Sequence, residues 1–130
     1  VDRPSAGELD QLMALLESAP LDRDQISGRL HKLENALRQR RSELDRAGGL
    51  LEDEDRAARM SLSREDDRLR TELTSLADDL NQFRQEVDSS EDDRQLRLRG
   101  NALLAGLRGH RDAEASLIIE SSATEVGSGD

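Results

Sequence analysis

Leu69, Leu73, Leu76, Leu80, Phe83 and Val87 follow one another in alternating steps of four and three. That spacing lines them along one side of an α-helix, as a stripe that leaves water only when other helices lie against it. A chain carrying such a stripe has to supply partners with matching faces. It does so three more times. Leu9, Leu12, Met13, Leu15 and Leu16 form an apolar face in the first segment, which should open at Pro4, where a missing amide costs nothing.

Ser18, Ala19 and Pro20 end that segment, and Asp22 with Gln25 three residues on reads as a capping box for the second. The second segment should end near Arg46, before Gly48 and Gly49, with its seam at Ile26, Leu30, Leu33, Leu37, Arg41 and Leu44. An arginine therefore stands at a core position. Leu50 to Ser61 reads as a connection with a helical turn or two, and Ser63 with Asp66 as the cap of the third segment. Ser89, Ser90 and the acidic Glu91, Asp92 and Asp93 make a turn and a fourth helix start. The inward face of that helix reads Leu96, Gly100, Leu103, Leu107, His110, Glu114 and Leu117.

Four amphipathic segments with breaks spaced like hairpin corners predict an all-α, antiparallel up-down-up-down four-helix bundle. The rival is a long two-stranded coiled coil. Residues 1–121 are expected to form one bundle domain and residues 122–130, which lose periodicity, a flexible C-terminal tail.

Composition excludes several function classes. A formal net charge of −10 repels phosphate backbones and anionic lipid, and a single aromatic ring, Phe83, removes the stacking platform for unpaired bases, so no nucleic acid and no membrane partner is expected. The absence of cysteine rules out disulfides, thiolate zinc sites and a thiol nucleophile. No apolar run approaches the roughly 20 residues that span a bilayer, and no signal segment is read, so a cytoplasmic protein is expected. Serines are numerous, but no Gly-rich phosphate loop or serine-histidine arrangement is apparent, and no enzyme activity or catalytic residue is expected. With few large core side chains, a protein partner or self-association is expected.

One pair of residues has a spacing with chemical content. His110 and Glu114, four apart on one helix face, can both reach a single metal ion. The same spacing suits a histidine that donates to its neighbouring carboxylate. His31, one residue past the seam position Leu30, is placed at the rim and not at a ligand position.

The stretch from Leu104 to Asp130, LAGLRGHRDAEASLIIESSATEVGSGD, resembles the last helix and tail of bacterial hemerythrin-like (HHE cation-binding) domains, where a histidine, three intervening residues and a glutamate precede apolar residues and a short acidic-glycine tail. Arg41 to Leu80 is similar in layout to that family's second and third helices: Arg41, Asp45, the pair Gly48 and Gly49, then Leu69, Glu72 and Leu73 occupy the places of its second histidine-glutamate pair, its glycine turn and its next helix start. The resemblance covers the chain from about Ser5 onward. It implies a bundle built around a non-haem metal centre, of which this chain keeps His110 and Glu114 and has lost the other histidines. A degenerate, non-catalytic scaffold or interaction module without a cofactor is the implied function. The alternatives are a cation-binding or sensing protein that retains a single divalent metal ion, and a helical segment of a larger assembly. In the degenerate case Leu73 fills a former ligand position, and Arg41 faces Glu114 and Asp45 in a buried polar cluster of Arg41, Asp45, His110 and Glu114. Alternatively, Arg41 reaches out to solvent.

Overall fold

The structure, a computed structural model, describes residues 6–48 and 60–128, nearly all of them in four helices: α1 Ala6–Glu17, α2 Arg23–Ala47, α3 Met60–Ser89 and α4 Asp93–Ser128. No strand occurs among the described residues. Pro4 lies outside them, and so does most of the connection expected from Leu50 to Ser61.

Local chemistry sets the corners. Asp22 caps α2, its Oδ1 accepting from the Gln25 amide at 3.2 Å. Asp92 does the same for α4, accepting from the Gln95 amide at 3.1 Å. At the far end of α2, Gly48 takes φ 86° and ψ 11°, the left-handed conformation that glycine adopts without a Cβ penalty, and its amide donates to the Asp45 carbonyl. Two arginines finish helix ends from other helices. Arg97 of α4 donates to the carbonyls of Leu16 at 3.0 Å and Ser18 at 2.8 Å, closing the end of α1. Arg23 of α2 donates to the carbonyls of Val87 at 2.7 Å and Ser90, and pairs with Asp93 at 2.6 Å, so one guanidinium holds the whole turn between α3 and α4.

The pairings give the topology. Arg41 meets residues 70 and 74, Arg38 meets Asp78, and Glu34 meets Arg84, so α2 and α3 run antiparallel. His110 with Glu72 and Arg99 with Glu86 make α3 and α4 antiparallel, and Arg108 with Asp10 together with Arg97 on the Leu16 carbonyl does the same for α1 and α4. Packing of α1 on α2, α2 on α3, α3 on α4 and α4 back on α1 closes the ring of an up-down-up-down four-helix bundle. Because α1 is much the shortest helix, it accompanies only one end of the bundle.

The stripe of α3 is buried throughout, from Leu69 to Val87. Leu9, Leu12, Leu16, Ile26, Leu30, Leu33 and Leu37 join it from α1 and α2. At the centre, Gly100 lets α4 approach closely: a Cβ there would sit 2.6 Å from Leu16 Cδ1 and 3.1 Å from Phe83 Cζ. A smaller apolar cluster of Leu62, Leu69 and Leu117 lies separately, toward the start of α3.

Three expectations are corrected. Ser63 is not a cap, since α3 already begins at Met60. Asp66 is instead buried on the seam, and extending the four-three alternation back from Leu69 lands on Asp66 and then Leu62. On α4 it is Leu104, not Leu103, that is fully buried, because this helix is flanked by both α1 and α3 and needs a stripe wider than a two-helix seam. The α4 backbone also stays helical to Ser128, past the end expected at Ser121, with no Gly or Pro to interrupt residues 122–126.

Candidate functional site

Among the residues of α4 whose burial is described, Glu114 is the most deeply buried carboxylate, with 1% of its side chain exposed. Isolated, such a charge would either protonate or cost several kcal/mol, so its neighbours decide what it is. Arg40 of α2 reaches across the bundle and binds it with two parallel hydrogen bonds, Nε to Oε1 at 3.2 Å and an Nη to Oε2 at 3.1 Å. Arg40 is itself only 14% exposed. The forked geometry of a guanidinium on a carboxylate is the arrangement in which a buried ion pair best offsets its own desolvation.

His110, one turn before Glu114, is 5% exposed, and both its ring nitrogens are engaged. Nε2 lies 3.2 Å from Glu114 Oε1, and Nδ1 lies 2.6 Å from Oε1 of Glu72 on α3. Glu72 also accepts from Arg68 at 3.1 Å, and Arg68 pairs in turn with Glu65. The result is a chain of contacts from α2 through α4 to α3: Arg40, Glu114, His110, Glu72, Arg68, Glu65. If the imidazole is protonated, positive and negative groups alternate along its whole length.

The electrostatics follow from this order. Burial alone would lower the His110 pKa, but the hydrogen bonds that Glu114 and Glu72 accept from the charged ring outweigh it and the net shift is upward. Burial alone would raise the Glu114 pKa, but His110 and Arg40 outweigh it and hold the carboxyl below its ordinary range. Next to the pair is a recess walled by Leu9, Leu37, Leu73 and Leu107 and rimmed by Arg40, His110, Arg111 and Glu114, with room for about one water molecule.

His110 and Glu114 thus come together in the core, and Leu73 packs beside them. Arg41 and Asp45 do not join them. Arg41 is 31% exposed and Asp45 45%, and they pair with each other at 2.9 Å on the outside of the α2–α3 groove. There Arg41 also donates to the Arg70 carbonyl at 2.8 Å and to Thr74 at 3.3 Å, while Asp45 accepts from Arg70 at 3.2 Å. The expected cluster of Arg41, Asp45, His110 and Glu114 is corrected to Arg40, Glu72, His110 and Glu114.

The reason is periodicity. Strict alternation from Ile26 runs through Leu30, Leu33 and Leu37 to Arg40 and Leu44, whereas reaching Arg41 takes two successive steps of four. On a helix of 3.6 residues per turn, Arg40 falls closer than Arg41 to the centre of the face that Ile26 defines. The signal for Arg40 was therefore present in the spacing. The exposed side of His31, by contrast, matches its expected place at the rim, with Asn35 3.3 Å from its Nε2.

A second buried acid, Asp66, lies near Arg70, whose Nε is 3.3 Å from Oδ1. Burial lowers the Arg70 pKa, but Asp67, Asp66 and Asp45 together raise it on balance, so this guanidinium stays charged. Among the described residues, no group of three or more His, Cys, Asp or Glu side chains is arranged to hold a metal ion. In the His110 cluster the carboxylate oxygens of Glu114 already accept from a guanidinium. Nor is any helix among the described residues long and apolar enough to cross a membrane. Comparison with protein-family models, with curated proteins and with solved structures finds no match to this chain.

Proposed function

We propose that this protein is a non-catalytic helical-bundle scaffold or interaction module, a hemerythrin-like layout in which an arginine stands where a metal ion would neutralise the inward carboxylate. The observation that carries this reading is the two-pronged contact of Arg40 with Glu114. It gives the buried acid its counter-charge from within the chain, and His110 is committed on both nitrogens to neighbouring carboxylates. Such a cluster ties three helices in one register, which is the best-attested role of buried polar groups. An acidic partner is disfavoured by the charge of −10, so a basic or apolar protein surface is the partner chemistry that suits it. A cytoplasmic location and the lack of a nucleic-acid partner belong to the same proposal.

The second reading is retention of a single divalent cation, for which His110, Glu72 and Glu114 would be the donors, although among the described residues they are paired with one another and not arranged to hold a metal ion. Metal analysis of protein purified without chelator, followed by melting with and without added Fe²⁺ or Zn²⁺, separates the two. The scaffold reading expects substoichiometric metal and an unchanged melting temperature. Stoichiometric metal, with a melting point that rises with its concentration, would establish the cation-binding reading instead.

A further inference from the structure

We propose that the outward face of α4 is a self-association surface, on which two copies of this chain pair antiparallel about a two-fold axis beside Gly109. The most exposed large apolar side chains among the described residues belong to α4, and two of them, Leu98 at 60% and Ile119 at 67%, stand on the side turned away from the core. They are joined by a second seam. From Leu98, steps of three and four pass through Asn101, Ala105, Gly109, Asp112 and Ser116 to Ile119, and each of these positions is exposed. That spacing lines one face of a helix, and no described helix covers it. Nothing lies within 4 Å of the place a Cβ on Gly109 would take, so the packing of the bundle itself does not call for a residue that weakens a helix interior.

A second copy fits this face because the seam is nearly its own complement. Laid antiparallel with Arg108 and Gly109 at the crossing, Leu98 meets Ile119, Asn101 meets Ser116 and Ala105 meets Asp112, each pair occurring twice as a two-fold interface requires. Asn101 and Ser116 can share a hydrogen bond, and the small Ala105 and Gly109 leave Asp112 room to reach Arg108 of the other copy. Charge selects the antiparallel order over a parallel one. From Arg94 to Arg111, α4 carries five arginines and no acid, and from Asp112 to Ser121 it carries three acids and no base. Glu114 is held in the core, which leaves Asp112 and Glu120 on the outside. Antiparallel packing sets the arginine half of one helix against the acidic half of the other, whereas parallel packing sets arginine against arginine. The acidic excess behind the net charge of −10 lies outside this stretch, and at physiological salt charges beyond about 8 Å are largely screened. At about 1.5 Å per residue the seam is about 32 Å long, and one helix pair of that length falls short of the roughly 1,200–2,000 Å² of a stable interface, so the dimer is weak and concentration-dependent. This pairing rests on the interaction-module reading only in giving the bundle a partner, and a monomeric chain would overturn the pairing while leaving the metal and melting measurements to decide that reading.

Sedimentation equilibrium of the full chain from about 10 to 500 µM measures the pairing, and the mass should rise from monomer toward dimer across that range. Leu98→Glu, at an exposed site where the fold has nothing to lose, should leave the melting of dilute protein unchanged and weaken dimerisation by about thirtyfold or more, since each dimer carries the change twice. The absence of cysteine allows a second readout of orientation. Asn101→Cys and Ser116→Cys chains, mixed under mild oxidation, should cross-link to each other and neither to itself, because only the antiparallel pair brings these positions within disulfide reach. A chain that stays monomeric at 500 µM, a dimer indifferent to Leu98→Glu, or cross-linking of the Asn101→Cys chain to itself would overturn the proposal, the first of these leaving the face to a helix of another protein.

Discussion

Replacing Arg40 with methionine keeps most of the length and apolar stem of the side chain and removes its charge. Glu114, 1% exposed, then loses its two-pronged counter-charge while keeping the His110 contact. Breaking a buried ion pair by removing one partner typically costs about 3–5 kcal/mol, and the remaining His110 contact places this case near the lower end, about 3 kcal/mol. For a domain of this size about 1 kcal/mol corresponds to roughly 3–5 °C, so the melting point should fall by about 10 °C or more. The companion change, Arg41→Met, removes a half-exposed pair with Asp45 and the contacts to the Arg70 carbonyl and Thr74, and should cost about 1 kcal/mol or less. Urea unfolding at pH 6, with both arms of each transition fitted, gives the two values on one scale. Equal costs, or a larger loss for Arg41→Met than for Arg40→Met, would refute the placement of the buried pair.

Glycines provide an independent check of packing. Gly100→Ala should destabilise the fold by about 1–2 kcal/mol despite its better helix propensity, since the new methyl meets Leu16 and Phe83, while Gly28→Ala and Gly109→Ala, with nothing within 4 Å, should stabilise it by about 0.5–1 kcal/mol each in the same assay. Asp92→Ala removes the cap of α4 and should cost about 1 kcal/mol of unfolding free energy. The pH dependence of stability has a definite sign at each end. The folded-state pKa of His110 is raised, so its contribution is complete below the ordinary value of 6.5 and is lost as pH climbs through the folded value. The folded-state pKa of Glu114 is lowered, so its contribution is complete above the ordinary 4.5 and is lost as pH falls through the depressed value. Denaturation midpoints should therefore show these two contributions together only between about pH 4.5 and 6.5, and His110→Phe should flatten the alkaline limb and also weaken the acid one, since His110 helps to hold Glu114 down.

Most of the architecture was legible because it depends on spacing. Leucine steps of three and four, Asp22 before Gln25 and Gly48 after Ala47 are local signals, and helix ends respond to local chemistry. The start of α3 was misplaced because Ser63 with Asp66 has the form of a cap, and nothing local says that Asp66 is needed inside instead. The pair His110 and Glu114 was found from its i, i+4 spacing on the correct face. Its partners were harder to find. Arg40 is adjacent to Arg41 in a run of basic residues, where one position of register decides between core and groove. Glu72 precedes the seam residue Leu73, and only the approach of α4 makes it a partner of His110. Arginines that cap helices from a distance, Arg23 and Arg97, have no local signature at all, because their acceptors lie more than sixty residues away.

A double-mutant cycle between Arg40 and Glu114 tests the core of this account most directly. Unfolding free energies of the wild type, Arg40→Met, Glu114→Gln and the double variant give the coupling between the two side chains after their separate effects are removed. A favourable coupling of about 2 kcal/mol or more is predicted for a buried, two-pronged ion pair that joins α2 to α4. A coupling within about 0.5 kcal/mol of zero would mean that the carboxylate finds its counter-charge elsewhere, and the arginine-for-metal reading would fall with it.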